Sequence, residues 1–303
     1  MTGPAAVCFV TCRRWPEISE SDRLAQAALE RRGATVVGRP WNDPAASFDG
    51  FDAVVLRSNW DYHHAPDDFA AWLDRRERAG ARIWNPPALV RWNLTKAYLL
   101  ELGRVGLDVA DTVILDAPTA LPRTMAERGW ATAVVKPLVS ASGYDTRLVS
   151  RADAGTAAEA LGSGQMRWPA IAQAFVPEIR TAGEWSLVAI EGAVTHAALK
   201  RPAPGDFRVQ GSYGGTSAAG EPPAAALAAA RRVLDALPAP ALYARIDGVE
   251  TARGFVLMEV EVNEPGLFFP LAPAAADRFA EAILARLAAP EPSRPEPSGP
   301  SRR

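Results

Sequence analysis

The chain has 303 residues, of which 48% are hydrophobic and 22% are charged, as expected for a folded protein of one large or two ordinary domains. Its formal net charge of −2 gives no reason to expect nucleic acid or an anionic membrane as a partner. No apolar run reaches the roughly 20 residues of a membrane helix and no signal-peptide pattern opens the chain, so we expect a cytoplasmic protein with Cys8 and Cys12 reduced.

Predicted strands and helices alternate in the first part of the chain. Short apolar runs predict strands at residues 7–10, 35–37, 51–56 and 82–84. Helical periodicity predicts helices at residues 21–32 and 67–78, with Gly33 and Gly80 at their ends. This order favours an α/β arrangement in which helices pack on a parallel sheet. Because Asn85-Pro86-Pro87 is a natural break, we predict an N-terminal Rossmann-like domain over residues 1–88.

The rest of the chain mixes helices and strands less regularly. The pattern predicts helices at residues 94–102, 125–128, 222–237 and 278–288. It predicts strands at residues 112–115, 134–136, 147–149, 170–176, 184–190, 193–199, 242–247 and 255–263. The strands on either side of Glu191-Gly192 are interpreted as a hairpin, and the last two strands as antiparallel neighbours. From Pro290 the chain alternates proline, glutamate, serine and arginine, which predicts a disordered tail over residues 290–303.

Lysine is rare in this sequence. Only three of the 33 basic residues are lysine, namely Lys96, Lys136 and Lys200. Arginine fills nearly every other cationic position, so a retained lysine suggests a place that needs a compact ammonium, such as a narrow cleft around phosphate oxygens. The alternative is that any one lysine is a surface leftover. Lys136 argues against that alternative because it lies in the apolar run Ala133-Val134-Val135-Lys136-Pro137.

Acidic side chains share one face of the last two predicted strands. Every second residue of a strand points the same way, so one sheet surface would carry Arg245, Asp247, Glu259, Glu261 and Asn263. Two carboxylates ~7 Å apart on one strand repel by roughly 2 kcal/mol at an effective dielectric constant near 20. Solvent on an open face could offset this repulsion, but Mg²⁺ would do so best because it prefers oxygen ligands from carboxylates and phosphates.

The C-terminal residues resemble those of the ATP-grasp superfamily. The match rests on Arg245-Ile246-Asp247, on Glu261-Val262-Asn263 and on the following Pro265-Gly266. The resemblance implies an α+β ATP-grasp domain over residues 89–289, with subdomains at about 110–180 and about 181–289 that clasp ATP, behind an N-terminal pre-ATP-grasp domain. It also implies that Asp247, Glu261 and Asn263 coordinate Mg²⁺, while Arg245 contacts the phosphates. Glu259 has no role by resemblance.

Upstream segments extend this resemblance. Lys96 at the start of a helix and Lys136 in a strand resemble the two lysines that bind the nucleotide in the superfamily. The segment that contains Ser142 and Gly143 resembles the loop that closes over the phosphates, although it has fewer glycines than is usual. The remaining nucleotide contacts that the resemblance implies are Gln173, Phe175 and Val176 at the adenine side and Glu184 at the ribose.

Within the superfamily, the chain looks closest to the cyclo-ligases of D-cycloserine biosynthesis and their relatives. Arg57-Ser58-Asn59-Trp60-Asp61-Tyr62 is one of the matching segments. Because this segment leaves a strand at its C-terminal end, Arg57 could pair with a substrate carboxylate and Asp61 with an ammonium, with Ser58 and Asn59 beside them. A structural loop is the alternative. Arg208 resembles an active-site arginine of glutathione-synthetase-like members, and Lys200 lies just before it.

The resemblance implies an enzyme that uses ATP and Mg²⁺ to convert a small amino-acid-like carboxylate into an acyl-phosphate. An amine then attacks to form an amide or a cyclic C–N bond, with ADP and phosphate released. One alternative is a ligase that joins an amino acid to a second molecule, and another is a nucleotide-binding module that has lost turnover. The partner is then a small molecule, and oligomeric state is open. No role is assigned to His63, His64 or His196.

Overall fold

The computed structural model describes residues 3–164 and 166–289, so the tail predicted for residues 290–303 lies outside the described part. The strands are β1 (Ala6–Thr11), β2 (Thr35–Pro40), β3 (Ala53–Leu56), β4 (Ile83–Trp84), β5 (Thr112–Leu115), β6 (Thr132–Pro137), β7 (Arg147–Ser150), β8 (Ala170–Ala174), β9 (Glu184–Ile190), β10 (Ala193–Arg201), β11 (Thr216–Ala219), β12 (Tyr243–Thr251) and β13 (Gly254–Glu261). The helices are α1 (Glu20–Glu30), α2 (Pro66–Arg78), α3 (Pro87–Leu94), α4 (Tyr98–Arg104), α5 (Leu121–Glu127), α6 (Ala154–Ser163), α7 (Ala224–Asp235) and α8 (Pro273–Ala288).

The N-terminal sheet is parallel, as the strand–helix order predicts. Its strand order is β2-β1-β3-β4, and β1 pairs in parallel with both β2 and β3. Ala25 of α1 and Phe279 of α8 pack with Phe9 on one face, while Phe69 of α2 packs with Val10 on the other. Burial of both faces explains why the strands are apolar runs rather than alternating ones.

The five-stranded sheet carries the acidic strands. Its order is β11-β10-β9-β12-β13, and all of its pairings are antiparallel. The predicted pairing of the last two strands is confirmed, with Arg245 opposite Glu261 and Asp247 opposite Glu259. On the reverse face, Ile246 packs with the α7 side chains in a buried apolar cluster. Alternation along both strands therefore separates a charged face from a core face.

The third sheet lies between these two in the sequence and is also antiparallel. Its order is β5-β8-β6-β7. Leu121 and Met125 of α5 and Leu161 of α6 cover one face, where they pack with Val135 of β6. Since Lys136 follows Val135 on β6, alternation directs it to the opposite face.

Several local predictions were wrong. The helix predicted for residues 94–102 is broken: α3 ends at Leu94, Thr95 is extended, and the Lys96 N–H donates to the Leu138 carbonyl at 2.9 Å before α4 begins. Helix α6 and strand β11 were not predicted, because α6 is largely alanine and glycine, and β11 is an exposed edge of small residues. Helix α8 begins at Pro273, since proline is well tolerated in the first turn.

The remaining global expectations concern thiols and membranes. Cys8 and Cys12 are buried free cysteines, in agreement with the prediction, and burial raises the pKa of Cys8 to about 12. Within residues 3–164 and 166–289, none of the helices has the length and apolar character that a bilayer span requires.

Candidate active site

A cavity of about 320 Å³ lies where the two antiparallel sheets face each other. All three lysines of the chain line it: Lys96 precedes α4, Lys136 lies on β6 and Lys200 lies on β10. Lys96 and Lys200 are each only 6% exposed. The alternative that the lysines are surface leftovers is therefore wrong. The rarity of lysine in the sequence pointed to residues that share one cavity.

Most of the residues predicted to contact nucleotide, phosphate or metal meet at this cavity. They are Lys96, Lys136, Ser142, Gly143, Gln173, Phe175, Val176, Glu184, Lys200, Arg208, Arg245, Asp247 and Glu261. They lie on or beside the strands of both antiparallel sheets and are spread from Lys96 to Glu261 in the sequence, so their convergence is a property of the fold. Their individual roles stay predictions.

One side of the cavity is apolar. Phe175, Val176, Phe207 and Met258 form a cluster around buried Ile179, and all five line the cavity. Gln173 is 1% exposed and donates through Nε2 to Thr112 Oγ1 at 3.1 Å, which holds its amide beside this wall. An apolar wall with a few fixed polar groups suits an aromatic base.

The other side of the cavity is a network of paired charges. Glu259 forms ion pairs with Lys96 and, at 3.8 Å, with Lys136. Lys200 contacts Glu184 and, at 3.1 Å, Asp247. Burial acts to raise the pKa of Glu259, but attraction by Lys96 and Lys136 outweighs it and holds that pKa at about 2. The network is thus ionised and compact, and an incoming anion could exchange places with its carboxylates.

Arg245 joins the two acidic strands. Its Nη2 donates to Asp247 Oδ2 at 2.9 Å and to Glu261 Oε1 at 2.6 Å. Even so, burial, together with repulsion from Glu259 and Asp247, raises the pKa of Glu261 to about 7. The burial of Glu261 thus outweighs its attraction to Arg245.

The predicted metal ligands are chemically suited to a hard divalent cation, although they are not arranged as a closed site. Asp247, Glu261 and Asn263 offer carboxylate and amide oxygens, which are the ligands that a hard divalent cation prefers. Arg245 stands between the two carboxylates, and Asn263 accepts from Asn59 Nδ2 at 3.0 Å. Over the described residues, no three His, Cys, Asp or Glu side chains are grouped as metal ligands.

The loop predicted to cover phosphates adopts a run of left-handed conformations. Ser142, Gly143 and Asp145 have φ of 54°, 71° and 48°. The Gly143 carbonyl accepts from the Tyr213 hydroxyl at 3.3 Å, and a Cβ at Gly143 would lie only 3.2 Å from Tyr213 and Gln210. The positive φ at Gly143 favours glycine, and a Cβ there would require the Gln210 and Tyr213 side chains to shift slightly.

Two predicted substrate contacts are corrected by the structure. Arg57 is 1% exposed, and its Nε and Nη2 donate to Asp22 Oδ1 at 3.0 and 2.9 Å, so it has a counterion from α1 instead of facing the cavity. Asp61 accepts from Trp41 Nε1 at 2.7 Å and from Asn42 at 2.8 Å, which leaves it no need of a substrate ammonium. The structural alternative for this segment is favoured.

Their neighbours act in the same structural way. Ser58 donates to Asp22 Oδ2 at 3.3 Å, and Asn59 donates to Asn263. The segment after β3 therefore forms hydrogen bonds with the residues that follow β13. Asp22 could not have been identified as the partner from sequence, because it lies 35 positions before Arg57 on a different element.

Sequence reasoning missed Glu264, Gln210 and Phe268, which also line the cavity. Glu264 directly follows Asn263, so its position at the end of the acidic strand was an available signal. Burial and the nearby Glu261 raise the pKa of Glu264 well above its usual value. Arg208 lines the cavity as predicted, but its guanidinium is paired with Asp206 at 2.8 Å and lies over the Tyr213 ring.

Gly183 controls the spacing between the strands that carry Glu184 and Lys200. Its φ is +83°, and a Cβ would lie 2.5 Å from the Lys200 carbonyl. We expect Gly183→Ala to lower the free energy of unfolding by about 2–4 kcal/mol and to weaken nucleotide binding. Gly192→Ala is the control, because its φ is +72° but no atom lies within 4 Å. Equal losses in urea unfolding of the two variants would contradict the steric argument.

His63 makes stability depend on pH. Burial and the neighbouring His64 lower its pKa from 6.5 to about 4, so the folded chain keeps it neutral while the unfolded chain protonates it. The unfolded state then binds more protons, and stability is lost as pH falls below 6.5. Between about pH 7 and about pH 5, we expect urea unfolding to show roughly 2 kcal/mol more loss for the wild type than for His63→Gln. His64→Gln, at an exposed position, should keep most of this pH dependence, because burial is the larger cause of the His63 shift. Matching slopes for the wild type and His63→Gln would contradict this role.

Two family models match the chain. One is described as the prokaryotic glutathione synthetase ATP-grasp domain and matches residues 102–270. The other is described as the N-terminal domain of D-cycloserine synthetase DcsG and matches residues 7–85.

Two curated proteins illustrate the same similarity. Cycloserine biosynthesis protein DcsG of Streptomyces lavendulae is 32% identical over 275 residues, which cover 84% of this chain and 90% of that protein. Glutathione synthetase of Parasynechococcus marenigrum is 30% identical over 224 residues, which cover 72% of this chain and 69% of that protein.

Solved structures extend the similarity to three dimensions. The crystal structure of D-cycloserine synthetase DcsG matches with a TM-score of 0.82 at 26% identity, covering 93% of this chain and 100% of that one. A RimK domain ATP-grasp protein from Sphaerobacter thermophilus matches with a TM-score of 0.69 at 22% identity, over 92% and 100% of the two chains, and indicates a shared fold.

Proposed function

The chain belongs to the ATP-grasp ligases, as the sequence resemblance predicted, and we propose that it activates a small amino-acid-like carboxylate as an acyl-phosphate for attack by an amine. ATP-dependent carboxylate–amine ligation with release of ADP is the reaction of this family. The observation that carries the proposal is the convergence of Lys96, Lys136 and Lys200 with Arg245 on one cavity, opposite an apolar wall. A nucleoside triphosphate has the same division into an apolar base and a highly charged end.

The roles of the residues follow from that division. The wall around Phe175 and Met258 would hold the base, and Lys96 and Lys136 would exchange Glu259 for phosphate oxygens. Lys200, Arg208 and Arg245 would lower the repulsion between the triphosphate and the substrate carboxylate. The substrate carboxylate is already ionised at neutral pH, so the first step needs no general base.

Asp247, Glu261 and Asn263 are the residues that would hold Mg²⁺. When bound, the ion supplies electrostatic stabilisation of the charge that develops on the transferred phosphoryl group. The chain's own contribution is Arg245, which must leave Glu261 to turn towards the phosphates. The loop with Ser142 and Gly143 would exclude water once the nucleotide is in place, and the Tyr213 hydroxyl, which donates to the Gly143 carbonyl, would help to hold it there.

Ring closure within one substrate is the form of the reaction that we favour. The support is the similarity to DcsG, which spans both parts of the chain, whereas the similarity to glutathione synthetase covers a smaller share. Joining two molecules is the second candidate, and its support is the family model over residues 102–270.

The test is a screen for phosphate and ADP release from ATP and Mg²⁺ with small amino acids and their derivatives, singly and in pairs. Release that depends on one compound alone supports ring closure, and a strict need for a second amine supports joining. If ATP binds but no compound elicits ADP, a module without turnover explains the fold better. Protein carrying Glu261→Gln and purified identically controls for contaminating ATPases.

A further inference from the structure

Among the described residues, one carboxylate that lines the cavity has no ion-pair partner. Across residues 3–164 and 166–289, five carboxylates line the cavity: Glu184, Asp247, Glu259, Glu261 and Glu264. The first four each form an ion pair with a lysine or with Arg245. Glu264 is 7% exposed and lines the cavity, but within the described residues its carboxylate has no ion pair and no hydrogen bond. A buried carboxylate without a partner is costly, so a ligand that supplies one would bind there favourably.

The aromatic residues that line the cavity with Glu264 are suited to binding a cation. Trp60 lines the same cavity, and its Nε1 donates to the Glu264 main-chain carbonyl at 3.1 Å, which fixes the two residues side by side. Phe268 lines the same cavity, and its ring centroid lies 5.8 Å from the Arg245 guanidinium carbon. A cavity that combines aromatic rings with a carboxylate suits an ammonium group, because both attract positive charge.

The other charged groups near Glu264 are already engaged. Lys96 pairs with Glu259, and Arg245 pairs with Asp247 and Glu261. If a bound nucleotide attracts Lys96 and Arg245 to its phosphates, neither of these cations becomes available to pair with Glu264. The need for a cation at Glu264 therefore persists in the loaded enzyme.

We propose that Glu264, which lines the cavity together with Trp60 and Phe268, binds the ammonium group of a small amino-acid substrate. The class of substrate rests on the proposed ligase function, whereas the location of the ammonium rests on the unpaired carboxylate. Glu264 thereby orients the substrate in the cavity, with its carboxylate directed to the cationic side. Glu264 thus has the role, binding a substrate ammonium, that the sequence had suggested for Asp61.

Three ligands with one carbon skeleton test this proposal: 2,4-diaminobutyrate, homoserine and 2,4-dihydroxybutyrate. They keep the carboxylate and replace the ammonium groups by hydroxyls one at a time. Their affinities are measured by calorimetry on the full chain loaded with Mg²⁺ and the ATP analogue AMP-PNP. We expect the wild type to bind at least one ammonium-bearing ligand ~10-fold or more tighter than 2,4-dihydroxybutyrate, as for a charge-assisted hydrogen bond.

Three variants separate a charge effect from a shape effect. Glu264→Gln keeps the shape and is expected to lose the preference, Glu264→Asp keeps the charge and is expected to retain part of it, and Glu250→Gln changes an exposed carboxylate of the same sheet and should behave as the wild type. AMP-PNP affinity and Mn²⁺ affinity should stay unchanged in Glu264→Gln. A fall in Mn²⁺ affinity would make Glu264 a metal ligand and overturn the proposal.

The proposal and the ligase function fail separately. Similar affinities of the wild type for all three ligands, no measurable binding of the ammonium-bearing ones, or an unchanged preference in Glu264→Gln would overturn the ammonium site, whatever the ADP screen shows. A preference that depends on Glu264 without ADP formation from any compound would overturn the ligase function and leave the ammonium site standing.

Discussion

Glu261→Gln is expected to reduce ADP formation by ~10³-fold or more while the fold stays intact. Glu261 on β13 lies opposite Arg245 on β12 and shares the Arg245 guanidinium with Asp247, so it sits where the charges of ATP would be neutralised. Glutamine has the same shape but no charge, and it binds a divalent cation much more weakly. The defect should therefore appear in turnover and in metal affinity, not in folding.

The measurement is ADP formation with the substrate found in the screen, together with Mn²⁺ binding followed by electron paramagnetic resonance in the presence of AMP-PNP. Arg245 keeps Asp247 as its partner in the variant, and one source of repulsion on Glu259 disappears, so thermal unfolding should change little. The control is Glu250→Gln, an exposed carboxylate on β12. Wild-type turnover in Glu261→Gln would remove the metal role from this residue.

The acidic face was predictable because strand geometry leaves few choices. Once residues 255–263 are assigned to a strand, alternation places Glu259 and Glu261 together, and apolar Val260 must face the core. The pairing with Asp247 followed from the short connection between the strands. The place of Lys136 was predictable for a related reason, since a charged side chain in an apolar strand must face solvent, a counterion or a polar ligand.

Contacts between distant elements were not predictable in the same way. The burial of Arg57 depends on Asp22, which belongs to a helix whose rotation about its axis no local pattern specifies. The break at Thr95 depends on a main-chain hydrogen bond from Lys96 to Leu138, which directly follows β6 in a different part of the fold. Within the part of the chain that the structure describes, Glu264 is distinguished by its lack of an ion pair, whereas the other carboxylates that line the cavity each have one. This difference can be recognised only from the three-dimensional structure.

Lys136→Ala is expected to weaken ATP binding by about 10- to 100-fold without destabilising the free protein. The Lys136 side chain is 12% exposed, its partial burial lowers its pKa, and its ion-pair partner Glu259 is 3.8 Å away and is shared with Lys96. In the free protein the ammonium thus loses hydration and gains little in return. A phosphate group would be its first close anionic partner, so most of its favourable energy is realised on nucleotide binding.

Two measurements separate these effects. Thermal unfolding without nucleotide should leave Lys136→Ala at or slightly above the wild-type midpoint, whereas the stabilisation by saturating ATP should shrink in proportion to the lost affinity. Arg123→Ala is the control, because it removes an exposed cation from α5 in the same part of the chain. Unchanged ATP affinity in Lys136→Ala would place this lysine outside the nucleotide site. A large fall in the midpoint without ATP would instead show that its charge supports the fold, because the pair with Glu259 would then outweigh the cost of burying it.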